Sequence, residues 1–136
     1  MRKVKEIIIH CADTPEGRDD KAADIKRWHL ARGFNDIGYH YVVDLDGTIE
    51  PGRDIANQGA HTTGHNAESI GICYIGGADA ETREPKDTRT EAQKESLRLL
   101  LKYLRAKYPE AKIYGHRDFA AKACPSFDAK EEYKDL

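Results

Sequence analysis

Short apolar runs alternate with polar segments along the chain, and three of these runs are typical of β-strands. The first covers residues 3–12 and is followed by the polar turn residues 13–15. The second covers residues 69–75 and ends at Gly76-Gly77, and a shorter one covers residues 112–115. Apolar runs of this length that are bounded by turn residues are typical of buried strands.

Residues 39–50 predict a β-hairpin. An aromatic and aliphatic segment, 39–45, is followed by Asp46-Gly47 and then by the short segment 48–50. An Asp-Gly pair between two such segments is a strong hairpin signal, because glycine adopts the positive φ that the turn requires.

Two segments predict helices. The first is 21–32, with Asp19 or Asp20 as its N-cap and Gly33 directly after its end. The second starts at a capping box formed by Thr90 and Gln93 and stops before Pro109. Its apolar positions recur with helical spacing: Leu97, Leu100, Leu101, Leu104 and Tyr108.

The order of the predicted elements is strand, helix, hairpin, strand, helix, strand. This order predicts an α/β fold in which helices flank a central mixed β-sheet. The chain has 136 residues, so we expect residues 1–136 to form a single domain. Between the last two strands, residues 79–95 contain no apolar residue except alanine and alternate in charge, which indicates a solvated segment rather than a partner-binding loop.

Composition narrows the classes of function. The chain carries 22 Lys and Arg against 24 Asp and Glu, so it has no basic surplus for nucleic acid or for an anionic membrane. No run of about 18 apolar residues is present, and the run 7–9 is too short for a signal peptide. Three cysteines are too few for a disulfide framework. We therefore expect synthesis in the cytoplasm and no nucleic-acid or membrane partner.

Two histidines and one cysteine are candidate metal ligands. His10 ends the first predicted strand, His116 follows the last one, and Cys124 comes eight residues later in a loop. The carboxyl ends of strands are where sites gather in such sheets. Two imidazoles and a thiolate would leave a tetrahedral zinc one open position, which suits hydrolytic chemistry. The spacing matches no standard zinc motif, so structural histidines remain an alternative at this point.

The chain resembles the zinc-dependent N-acetylmuramoyl-L-alanine amidases, in the branch shared by amidase-type phage lysozymes and peptidoglycan-recognition proteins. The resemblance runs from Ile7 to about Asp128 and consists of several ordered motifs at compatible separations. The segments that carry it are IIIHCADT, IKRWHLARGFNDIGYHYVVDLDGTIEPGRD, GAHTTGHNAESIGICYIGG and GHRDFAAKACPSFD.

The resemblance implies a zinc ion held by His10, His116 and Cys124. It also implies two catalytic residues. Tyr39 would orient the attacking water, since a free tyrosine ionises near pH ~10 and is a poor base. Lys122 would stabilise the tetrahedral oxyanion with its ammonium group. The implied reaction is hydrolysis of the amide between the lactyl group of N-acetylmuramic acid and L-alanine, in peptidoglycan or a muropeptide.

Three further residues match positions of the family's substrate groove. His61 would donate to a peptide carbonyl or take part in proton transfer. Asn66 and Arg53 match recurrent motif positions, and the resemblance leaves open whether they touch substrate or hold loops.

Several alternatives stay open at this stage. Some relatives keep the fold and bind wall fragments without cutting them. A cysteine hydrolase would use Cys124 as nucleophile and His116 as base, without a metal. For the biological setting, the sequence favours a monomeric phage or prophage endolysin without a separate wall-binding domain, acting after release through a permeabilised membrane. A cytoplasmic amidase that recycles muropeptides is the alternative setting.

Overall fold

The computed structural model describes residues 2–136. The strands are β1 (Glu6–Cys11), β2 (Thr14–Pro15), β3 (Tyr41–Val43), β4 (Ile49–Pro51), β5 (Ser69–Tyr74), β6 (Gly77–Ala78) and β7 (Lys112–Gly115). Five of them form a central sheet with the strand order β4-β3-β5-β1-β7. All neighbouring strands in this sheet are parallel except β3 and β4, which are antiparallel. A separate two-stranded parallel sheet pairs β2 with β6.

Three α-helices accompany the sheet: α1 (Ala22–Ala31), α2 (Glu91–Lys107) and α3 (Ala129–Glu132). The mixed α/β fold predicted from the element order is thus confirmed, whereas α3 and the small β2–β6 sheet were not predicted. Over residues 2–136, no helix combines the length and the apolar character needed to cross a bilayer.

Helices pack against both faces of the sheet because side chains alternate along each strand. On β1, Ile7 and Ile9 face α2, whose predicted apolar stripe is buried against them. On the other face, α1 buries Ile25 against residues from β3 and β5, including Val42 and Cys73. The sheet is therefore covered on both sides, and its strand ends are left for loops.

The start of α1 differs from the prediction. Asp19 and Asp20 do not cap the helix; the N-cap position is Lys21, and the carboxylate of Asp24 accepts a hydrogen bond from the backbone N–H of Lys21 at 2.8 Å. The Asp20 carboxylate instead accepts from the guanidinium of Arg18 at 2.7 Å. The start of the helix is therefore stabilised by Asp24, an acidic residue at its third position, rather than by an acidic N-cap residue.

The predicted hairpin is confirmed, with a shorter first strand. β3 begins at Tyr41 and pairs antiparallel with β4. Gly47 has a φ of +88°, and a Cβ there would lie 2.9 Å from the carbonyl oxygen of Ala92 in α2. The turn thus needs glycine both for its backbone angle and for the close approach of α2.

The polar segment before α2 is only partly solvated. The capping box of Thr90 and Gln93 is present, with hydrogen bonds of 2.9 and 3.0 Å, so the helix begins within the segment predicted to be solvated. Arg89 is buried, and its guanidinium pairs with the carboxylates of Asp87 and Glu132. This arginine joins the segment to α3.

Candidate active site

The register of the sheet brings the two candidate histidine ligands together. β1 and β7 are parallel, with Ile9 opposite Gly115. Ile9 is followed by His10 and Gly115 is followed by His116. The two histidines therefore lie side by side at the same edge of the sheet. Their ring centroids lie 4.6 Å apart, and His10 is buried.

The loop after β7 folds back and adds Cys124 to this pair. The backbone N–H of Arg117 donates to the carbonyl of Cys124 at 2.8 Å, and the hydroxyl of Tyr74 donates to the carbonyl of Pro125 at 2.6 Å. The backbone N–H of Cys11 donates to the Cys124 sulfur at 3.2 Å. Held in this way, Cys124 offers its sulfur to the same point as the histidines. The ligand atoms of the three residues all lie within 4.8 Å of one another.

The environment keeps the two imidazoles neutral, which metal binding requires. Burial lowers the pKa of His10 well below its usual value, and the neighbouring His61 and His116 lower it further. Burial and the ammonium of Lys122 lower the pKa of His116. Two neutral imidazoles and one sulfur form a donor set that suits zinc.

Without a metal, the Cys124 sulfur is held as a thiol. A hydrogen bond with Cys11 and burial raise the pKa of the Cys124 thiol. Cys11 directly follows His10 in β1. Its side chain packs into the core on the α2 face and also contacts Cys124.

Tyr39 lies directly beside the cluster. Its ring centroid is 5.0 Å from that of His10. Burial, followed by the nearby cysteine thiols, raises the pKa of Tyr39 well above its usual value. The hydroxyl therefore keeps its proton at neutral pH and is available to donate a hydrogen bond.

Two adjoining hollows form a groove over the cluster. The larger one, about 580 Å³, is bordered by Cys124, and the smaller one, about 300 Å³, is bordered by His61. Four residues border both hollows: Arg32, Tyr39, His116 and Lys122. The groove thus carries two cationic side chains next to the candidate ligands.

Arg32 was not among the site residues predicted from the sequence. The structure leaves it exposed at the helix end, with its guanidinium 5.3 Å from the centre of the Phe34 ring. Its position in the sequence could have indicated this exposure, because Arg32 directly precedes Gly33, the glycine at which the chain leaves the helix.

His61 borders the smaller hollow of the groove and also lies against a candidate ligand. Its Nδ1 is 2.9 Å from Nε2 of His10, and burial lowers its pKa to about 3. Asn66 supports this loop, since its side-chain oxygen accepts from the backbone N–H groups of His61 and Thr62 at 2.9 and 2.8 Å. A contact of His61 or Asn66 with substrate stays a prediction.

Arg53 is not brought to the metal-ligand cluster. Its guanidinium donates to the carbonyls of Ile37 and Gln58 at 2.8 and 2.9 Å. It borders a separate hollow with Asn35 and neighbouring polar residues. The described contacts of Arg53 hold loops together, and a substrate contact for it stays a prediction.

Comparison with known proteins places these features in context. The family model described as N-acetylmuramoyl-L-alanine amidase matches residues 1–127. The endolysin of Klebsiella phage KP32 is 41% identical over 129 residues, which cover 95% of this chain and 85% of the relative. The endolysin of Escherichia phage T7 is 43% identical over 124 residues, covering 91% and 82%.

Solved structures show the same architecture. The N-acetylmuramoyl-L-alanine amidase LysC from Clostridium intestinale superposes with a TM-score of 0.81 at 30% identity, covering 97% of this chain and 83% of that one. Drosophila PGRP-LB superposes with a TM-score of 0.80 at 27% identity, covering 100% and 82%.

Proposed function

Because this chain belongs to the N-acetylmuramoyl-L-alanine amidase family, we propose that its groove hydrolyses peptidoglycan at the amide between N-acetylmuramic acid and L-alanine. The chain is a peptidoglycan amidase, and we propose which of its residues carry out the reaction. The observation that carries it is the convergence of His10, His116 and Cys124 within 4.8 Å at the base of the groove.

His10, His116 and Cys124 would hold a zinc ion. The donor set of two neutral imidazoles and one sulfur fits zinc, and no carboxylate takes part in the cluster. When bound there, zinc would supply a Lewis acid that polarises the scissile carbonyl and activates water. Tight hydrogen bonding of the Cys124 loop keeps the three donors together for this purpose.

Tyr39 and Lys122 are proposed as the catalytic residues. The protonated hydroxyl of Tyr39 would donate a hydrogen bond that orients water or the carbonyl beside His10. The ammonium of Lys122, which borders both hollows, stabilises negative charge on the carbonyl oxygen. The role of Tyr39 requires a protonated hydroxyl, which its surroundings favour.

Two rival mechanisms are disfavoured by particular residues. A cysteine hydrolase would use Cys124 and His116 and has no need of His10, whose ring centroid lies 4.6 Å from that of His116 and which completes the donor set. A module that only recognises peptidoglycan has no need of a complete donor set, and this chain keeps Cys124, Tyr39 and Lys122 together. Hydrolysis assisted by a metal is the mechanism that uses all of these groups.

The endolysins of phages KP32 and T7 also favour one biological setting. We infer that this chain acts as an endolysin, which reaches the cell wall after release from the cytoplasm. Since every residue of the proposed site comes from one chain, a monomer suffices for activity. The substrate is intact peptidoglycan or its soluble muropeptide fragments.

A chelation experiment tests the proposal. Purified protein is stripped with a metal chelator, dialysed, and assayed on purified muropeptides before and after zinc is added back. We expect stripping to abolish cleavage and zinc to restore it. Cleavage that survives complete metal removal would support the cysteine hydrolase instead, and muropeptide binding without cleavage at any zinc concentration would indicate a recognition module.

A further inference from the structure

His61 extends the ligand cluster by one hydrogen bond. Its Nδ1 lies 2.9 Å from Nε2 of His10, and its Nε2 lies 3.3 Å from the hydroxyl oxygen of Ser69. The hydroxyl of Thr62 lies beside the same pair, 3.0 Å from His61 Nδ1 and 3.3 Å from His10 Nε2. Ser69 is fully buried at the start of β5. A line of polar atoms therefore leads from the ligand cluster into the interior.

Binding of a metal by Nδ1 of His10 would set the role of each nitrogen in this line. A neutral imidazole has one lone pair and one N–H group. Since Nε2 of His10 is engaged by His61, Nδ1 is the nitrogen left for an ion shared with His116 and Cys124. His10 then carries its proton on Nε2 and needs an acceptor, which is Nδ1 of His61. His61 in turn carries its proton on Nε2, where the Ser69 hydroxyl accepts it.

The surrounding backbone keeps the His61 ring in this orientation. A Cβ on Gly71 would lie 2.6 Å from the His61 ring, and one on Gly59 would lie 2.7 Å from it. Both glycines therefore make room for the ring and enclose it. Asn66 fixes the backbone of the same loop through its side-chain oxygen. The ring is held on several sides against His10.

We propose that His61 is a positioning residue, which accepts the Nε2 proton of His10 and thereby holds Nδ1 of His10 towards the metal. This inference rests on the proposed metal centre. It gives His61 a role through His10 rather than through the substrate. Second hydrogen bonds of this kind orient metal-binding histidines, and their loss typically weakens metal binding about 10–100-fold.

Two substitutions of similar size separate the acceptor from the bulk of the side chain. His61→Leu removes the acceptor, whereas His61→Asn retains an acceptor oxygen near the position of Nδ1. His65→Leu is the control, because His65 lies in the same segment but pairs with Glu6 and stacks on Phe119. The measurements are the zinc dissociation constant by competition with a chromogenic chelator, without substrate, and kcat and KM at saturating zinc.

The expected result is a zinc dissociation constant raised about 10–100-fold in His61→Leu, largely restored in His61→Asn and unchanged in His65→Leu. KM should stay unchanged in all three. Parental zinc affinity in His61→Leu, or equal weakening in the Leu and Asn variants, would overturn the inference. If His61→Leu does not fold, His61→Gln replaces it: an acceptor moved away from the Nδ1 position must weaken zinc binding relative to His61→Asn, and equal affinity overturns the inference.

The same experiment separates this inference from the proposed function. A parent protein that binds no zinc would overturn the metal centre itself, and the positioning role with it. A parent that binds zinc and cleaves muropeptides, together with a His61→Leu variant of unchanged zinc affinity and raised KM, would leave the metal centre intact. His61 would then be a substrate contact, as the family resemblance implied.

Discussion

At the scale of single residues, the site depends on the protonation states that burial imposes. Tyr39 keeps its proton, because a phenolate there would lose its hydration and lie beside the cysteine thiols. His10 stays neutral for the corresponding reason, since a buried imidazolium is costly beside His116 and Lys122. At the same pH, Tyr39 can thus donate a hydrogen bond while His10 offers a lone pair. The centroids of the two rings lie 5.0 Å apart.

Tyr39→Phe tests the hydroxyl of Tyr39 alone. We expect kcat to fall roughly 10²–10³-fold, which is typical for the loss of one donor that acts in the transition state, while zinc binding stays at the parental level. Steady-state kinetics on muropeptides and metal analysis check both expectations. Tyr103→Phe, in which an exposed tyrosine of α2 is changed, is the control. A turnover close to that of the parent in Tyr39→Phe would remove Tyr39 from the mechanism.

The sequence indicated which residue types form the site but not every contact they make. His10, His116 and Cys124 could be singled out because each follows a predicted strand or lies in the loop after one. The bond between His61 and His10 could not be predicted, since it joins residues 51 positions apart through a loop without regular structure. The contacts of Arg53 with backbone carbonyls were equally hidden, because any arginine can make them.

At the scale of elements, parallel pairing explains why distant residues converge. The register of β1 with β7 alone sets His10 beside His116, and the hairpin β3–β4 carries Tyr39 just before its first strand. Periodicity and turn residues were sufficient to predict these elements. The missed N-cap of α1 and the unpredicted α3 have a different cause. Both depend on side-chain hydrogen bonds, in which the carboxylates of Asp24 and Asp128 accept from backbone N–H groups. For α3 the signal was present in the sequence, since Asp128 is followed three residues later by Glu131.

Asp44, in the turn between β3 and β4, is a buried carboxyl group beside the half-buried Glu50 of β4, and it should make stability depend on pH. Asp44 is 2% exposed, and within residues 2–136 its Oδ1 has no hydrogen-bond partner. Burial, and then the neighbouring Glu50, raise the pKa of Asp44 from 3.8 to about 7. A group whose pKa is raised by folding contributes stability below its unfolded pKa, and this contribution is lost as the pH rises through about 7.

Asp44→Asn removes this titration and keeps the shape of the side chain. We expect the free energy of unfolding of the parent, relative to the variant, to fall as the pH rises from 5 to 8.5. The difference between the two proteins is the quantity to measure, because buried histidines with lowered pKa values contribute the opposite slope. Denaturant unfolding of both metal-free proteins across this range provides it. Parallel pH profiles would contradict the assignment.

At the scale of the whole molecule, helices cover both faces of the sheet, and a groove lies at one of its edges. The apolar pattern of the chain predicted the covered sheet, since each helix and strand carries its own buried face. The groove was less predictable, because its walls come from α1, the loop before β5 and the loop after β7, which meet only in the folded chain. Its two cationic side chains come from separate parts of the chain: Arg32 from the end of α1 and Lys122 from the loop after β7.

The most direct test of the central claim pairs metal content with reaction products in the parent protein and in Cys124→Ala. Zinc is measured per chain by elemental analysis, and muropeptide digests are analysed by mass spectrometry. We predict one zinc per parent chain and release of stem peptides with a free L-alanine amino end, with both lost in Cys124→Ala. Full zinc occupancy in Cys124→Ala, or stem-peptide release by the metal-free parent, would contradict the account.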